Sequence, residues 1–128
     1  MTEQHRDPRV DQFILDQIDS VTHLEALLLI WNSRPKLWSI EDMGKVLYVR
    51  NEFAGKILDS LAQRGLIAVA SAGTYTAVVS DAERTRLLEA VDAAYRRELI
   101  RISSMIHSKA PAGVRDFARA FRFTRDKE

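Results

Sequence analysis

The residue types that usually carry catalysis are few and scattered in this chain. His5, His23 and His107 lie far apart, and none has a neighbour at a metal-binding interval such as the two histidines of an H-x-x-E-H helix. There is no cysteine, which removes disulfides and thiolate chemistry and fits a reducing cytoplasm. The five glycines are isolated, so no phosphate-cradling loop is present. The pair Glu41 and Asp42 sits where a helix should begin, and a helix dipole alone accounts for carboxylates there. His23, at a helix start, reads as a capping or surface residue. No catalytic constellation, resident metal or cofactor is expected. The chemistry that remains is contact chemistry, in the stretch "RNEFAGKILDSLAQRGLI" from Arg50 to Ile67. It holds groups able to meet phosphates or base edges: Arg50, Asn51, Lys56, Ser60 and Arg64. It also holds Glu52 and Asp59, which repel a polyanion, and Phe53, which suits a protein surface better.

Those residues need elements to position them. Residues 1–8 read as a tail. "PRVDQFILDQIDS" reads as a first helix, with Val10, Phe13, Ile14, Leu15 and Ile18 along an apolar face. Ser20 then caps "VTHLEALLLIWNS", whose apolar residues go almost all round and mark a central helix. Pro35 closes that segment, because the residue before a proline avoids the helical conformation. "WSIEDMGKVLYV" is the next helix, capped by Ser39, with Met43, Val46 and Leu47 as its buried side. Tyr48–Asn51 is a tight turn. The helix after it buries Ala54, Ile57, Leu58 and Leu61 and stops at a left-handed Gly65. On that helix Glu52, Phe53, Gly55, Lys56, Asp59 and Ser60 form the outer face. "LIAVA" and "TYTAVV" around "SAG" read as a β-hairpin.

From Asp81 the helical pattern returns and runs to about Ser108 as one long helix. Its stripe is Leu88, Val91, Tyr95, Leu99, Ile102 and Ile106, roughly 40 Å long at about 1.5 Å per residue. Such a stripe either joins two chains as a dimer seam or is covered by the first and last helices of its own chain; the length of the stripe favours the dimer. After Pro111 and Gly113, "VRDFARAF" reads as a short helix, with Arg115, Arg119 and Arg122 at one side and Arg125 beyond. These arginines read as a solvated face, a nucleic-acid clamp, or a docking helix for an anionic membrane or a partner.

The order and core of the middle segment resemble a known pattern. "MGKVLYVRNEFAGKILDSLAQRGLI" is similar to the bacterial winged helix-turn-helix transcription-regulator superfamily, over about residues 40–80. Val49 would seat the turn, Ala54 would let two helices cross closely, Leu58 and Leu61 would fill the core, and "RGLI" would lead into the wing. The resemblance implies a mainly α fold with a small β-hairpin: a winged helix-turn-helix over residues 9–80, with an added N-terminal helix. A C-terminal helical extension over 81–128 would belong to the same compact unit. It implies a regulator that binds duplex DNA as a homodimer, with the second motif helix in the major groove.

The DNA-contact chemistry departs from that pattern. Lys56 is the sole mid-helix cation, and "SAGTY" at the wing has no basic residue. Residues 1–81 carry 8 Lys/Arg against 11 Asp/Glu, whereas 82–128 carry 11 against 7, so the basic end is not the end with the reading helix. The alternative is a winged-helix interaction module of transcription or replication machinery, anchored on Phe53, that does not grip DNA by itself. Composition fits one globular domain, at 46% hydrophobic and 29% charged residues. No apolar run reaches the roughly 20 residues of a membrane span, and the polar N-terminus has no secretory h-region.

Overall fold

A computed structural model describes residues 7–71, 73–79 and 81–109 of the chain. The elements in order are α1 (Pro8–Gln17), α2 (Val21–Asn32), β1 (Trp38–Ser39), α3 (Ile40–Leu47), α4 (Asn51–Gln63), β2 (Ile67–Ser71), β3 (Thr74–Ala77), α5 (Ala82–Arg97) and α6 (Leu99–Ser108). The fold is mainly helical, with a small three-stranded antiparallel sheet in the order β1-β3-β2. Among the described residues, no helix is long and apolar enough to cross a membrane.

Local chemistry sets the helix starts. Ser20 Oγ accepts from the His23 amide at 3.1 Å, Ser39 Oγ from the Asp42 amide at 3.0 Å, and Asp81 from the Arg84 amide at 2.7 Å. Each satisfies a first-turn N–H that the helix cannot pair internally. Asp7 does the same for α1, where Pro8 takes the first helical position. Helix α3 ends on Tyr48, in the left-handed region at φ 60°. Helix α4 ends as expected on Gly65 at φ 75°, and the Leu66 amide reaches back to the Leu61 carbonyl at 2.9 Å.

The core runs through both halves of the chain. Helix α2 lies at its centre and buries Leu24, Ala26, Leu27, Leu28, Ile30 and Trp31. Val10, Ile14 and Ile18 of α1, Met43 of α3, and Ala54, Ile57, Leu58 and Leu61 of α4 close around it. In the sheet, Tyr75 on the middle strand faces Trp38 on one side and Val69 on the other. Both aromatic residues are buried.

Three expectations are corrected. The C-terminal helix is not continuous: Glu98, at φ −128° and ψ 50°, divides it into α5 and α6. The turn lets α6 fold back, so that both α5 and α6 pack on α1 and α6 also touches α2. As a result Leu88, Val91, Ile102 and Ile106 are fully inside one chain and are not free to form a dimer seam. Of the expected seam, Tyr95 is half-buried and Leu99 is 48% exposed, beside Ile100 at 78%. Second, Val46 is 46% exposed. Helix α3 has only eight residues, and its packed side is drawn at Met43, Gly44 and Leu47. Third, Leu15 lies at the surface.

Arg101 holds the helix break in place. Its guanidinium meets Asp11 of α1 at 3.0 Å and Glu98 at 2.6 Å. At the far end of α6, the Lys109 ammonium donates to the carbonyls of Ile14 and Leu15. A cation there complements the negative end of α1.

Candidate functional site

The candidate site is the outer side of α4 with the hairpin beside it. Arg50, Asn51, Glu52, Phe53 and Lys56 are exposed there, and Ser60 is half-buried. Arg50 is the N-cap of α4 and makes no side-chain cap bond. The positive end of the helix dipole therefore emerges beside its guanidinium, an arrangement suited to an anion. Lys56 lies one turn after Glu52 and Phe53 on the same side.

Four residues read as parts of that face have other tasks. Arg64 is turned toward α1 and α2: it donates to the Asp16 carbonyl at 3.0 Å and to the Asp19 carboxylate at 3.1 Å. It fixes the end of α4 to the α1–α2 junction and is not a free phosphate contact. The Asp59 carboxylate accepts from the Tyr75 hydroxyl at 2.8 Å, which ties α4 to β3. That bond, more than burial, raises the Tyr75 pKa above its ordinary value. Gly55 is packed toward α3: a Cβ there would lie 3.4 Å from Ile40 Cδ1. Asn51 is exposed in part, but its Oδ1 lies 3.0 Å from where a Cβ on Gly44 would stand, so its side chain folds against α3.

What the structure leaves facing outward on α4 is Arg50, Glu52, Phe53 and Lys56. Their formal charge is +1, with the hydrogen-bonded Asp59 alongside. The hairpin adds no charge, since residues 65–80 contain no Asp, Glu, Lys or Arg. Two cations that sequence reasoning missed stand on the loop before β1. Arg34 stacks over Trp31 at 3.6 Å and Lys36 over Trp38 at 4.3 Å. Both are exposed, and stacking on a ring limits their freedom without neutralising them. The signal was available in "WNSRPKLW", where two basic residues stand between two tryptophans.

His23 is half-buried at the start of α2, with Nδ1 2.6 Å from Ser20 Oγ. Burial lowers its pKa, Asp19 opposes that shift and Arg64 adds to it. The sequence reading made it a capping or surface residue; the cap is Ser20, and His23 is half-buried one turn into the helix. No three His, Cys, Asp or Glu residues gather into a metal-holding group among the described residues. Arg115, Arg119, Arg122 and Arg125 lie outside the described residues, as does the expected helix at 114–121. No known protein family, curated protein or solved structure matches this chain.

Proposed function

We propose that the chain is a winged helix-turn-helix protein that binds duplex DNA through α4 and regulates transcription. One observation carries the reading: the order α2-β1-α3-α4-β2-β3, with sheet order β1-β3-β2. That arrangement sets an exposed helix with a cationic start next to a hairpin, and in helix-turn-helix proteins the N-terminal residues of the recognition helix are the ones that contact base edges. The tie from Tyr75 to Asp59 supports the reading further. It gives a structural reason for an acid that would otherwise speak against DNA. Arg50 and Lys56 are the proposed phosphate or base contacts, with Asn51 and Ser60 at their flanks.

The test is fluorescence anisotropy on random duplex DNA at roughly 50 mM and 200 mM salt, where several phosphate contacts show as a steep loss of affinity. Lys56→Ala should weaken binding and reduce the salt slope by about 1. Glu52→Gln should strengthen non-specific binding, because it removes an exposed charge that faces the polyanion. No binding at the lower salt, with no site enriched from genomic fragments, overturns the reading.

A second reading rests on Phe53. It is 46% exposed in the middle of a face whose net charge is small. Aromatic anchors dominate protein interfaces, so the same face would serve a winged-helix interaction module of transcription or replication machinery. In that case Phe53→Ala abolishes capture of a partner and leaves any DNA affinity unchanged.

A further inference from the structure

An open groove of about 380 Å³ lies between α2, α3 and α5, away from the outer face of α4. Its floor is apolar: Leu28 and Leu29 from α2, Val46 and Leu47 from α3. The exposure of Val46, unexpected from the helical pattern, is the exposure of this floor. The rim is polar and its charges are unevenly matched. Asp92 of α5 is paired with Arg96 at 3.1 Å. Glu25 of α2 is exposed and accepts a hydrogen bond from the Tyr95 hydroxyl at 3.0 Å, but no described cation pairs with it. Among the described residues the rim thus carries one uncompensated negative charge above an apolar floor, with an aromatic ring at its side.

Those features select a ligand. The volume is that of a small-molecule site, which typically measures about 300–1,000 Å³. An apolar body would cover the leucines and Val46. A positive charge would meet the Glu25 carboxylate beside the Tyr95 ring, an aromatic group that can attract cations through its quadrupole. An anion would meet a carboxylate that no described cation offsets. We propose that this groove binds a small organic cation with a bulky apolar body, its charge held between Glu25 and Tyr95. Burial first, and then the bond to Glu25, push the Tyr95 hydroxyl up to about 12, so the hydroxyl remains a donor and fixes the carboxylate over the groove. The site does not depend on whether α4 reads DNA.

The test is calorimetric titration of the full chain with tetraphenylphosphonium and with its isosteric anion tetraphenylborate. The phosphonium should bind saturably at one site and the borate more weakly. Glu25→Gln keeps an acceptor for Tyr95 while removing the charge. It should weaken phosphonium binding by about fivefold, the upper range for an exposed charge contact, and should not weaken borate binding. Val46→Trp fills the floor from an exposed position and should abolish phosphonium binding, with circular dichroism confirming that the chain is folded. The proposal is overturned if the phosphonium gives no saturable binding, or if the two ions bind equally. Phosphonium binding unchanged in either variant overturns it as well.

Discussion

The Tyr75 hydroxyl donates a 2.8 Å hydrogen bond to the Asp59 carboxylate and so joins the middle strand of the sheet to the outer side of α4. Tyr75 is buried and paired on both sides, so the bond transmits the position of the hairpin directly to the helix. A bond to a charged acceptor contributes about 1.5–3 kcal/mol when sheltered, and the exposure of Asp59 brings the expected loss for Tyr75→Phe to about 1 kcal/mol. Asp59→Asn retains an acceptor and should cost less. Urea denaturation measures both; a Tyr75→Phe chain as stable as wild type would show that the bond does not hold the hairpin.

Gly44 and Ala54 mark the closest approach of α3 and α4. A Cβ on Gly44 would stand 3.0 Å from the Val49 carbonyl and 3.7 Å from the Ala54 Cβ. Backbone cannot move aside as a flexible side chain can. Gly44→Ala and Ala54→Leu should each destabilise the chain by about 1–3 kcal/mol through overpacking. Unchanged melting temperatures for both would contradict the close crossing.

Ile102 and Leu99 are adjacent on the apolar pattern but have opposite fates. Ile102 is fully buried on α6, the helix that packs on α1, α2 and α5, whereas Leu99 lies at the surface. Ile102→Glu places an unpaired charge in the core and should unfold the chain or cost several kcal/mol. Leu99→Glu should leave circular dichroism and melting temperature nearly unchanged. Light scattering on the Leu99→Glu chain then asks whether two copies meet at the surface left by Leu99 and Ile100; a Leu99→Glu chain that unfolds would refute the division at Glu98.

His23 gives the fold a dependence on acid. Its pKa is lowered by burial, so the unfolded chain binds the proton more readily than the folded one. The stability it contributes is present above its unfolded value near 6.5 and is lost as the pH falls through the depressed folded value. Denaturation midpoints measured between about pH 7 and pH 5, the interval around an ordinary histidine, should fall for wild type. They should fall less for His23→Gln. Parallel curves would rule out this source of acid sensitivity.

Much of the architecture is written in local signals. Ser20, Ser39 and Asp81 announce their helices, Gly65 ends one, and Gly73 takes a left-handed conformation just before β3. The division at Glu98 is not written this way, because the apolar spacing from Tyr95 to Ile102 continues across it as though the helix did. Strand β1 has two residues, too few for any alternation to show. The candidate face was legible in position but not in detail. Asp59 and Arg64 look like free groups on an isolated helix. Their partners are 16 and 45 residues away, and only the tertiary fold brings Tyr75 and Asp19 to them. The groove was hidden for a similar reason: its rim and its apolar floor come from three separate helices.

The bridge from Arg101 to Asp11 joins residues 90 apart, and α5 and α6 both pack on α1, which buries Val10 and Ile14. During synthesis, then, the first helix must wait. The centre of the chain can form its local helices and hairpin early, and Arg64 can reach the end of α1, but the two helices that pack along α1 arrive only with the C-terminal residues. Contacts of such long sequence separation form late and slow the final step. Until that step the apolar side of α1 is exposed, and at high concentration such surface is where chains aggregate. A nascent chain halted before α6 should therefore aggregate more readily than the finished one.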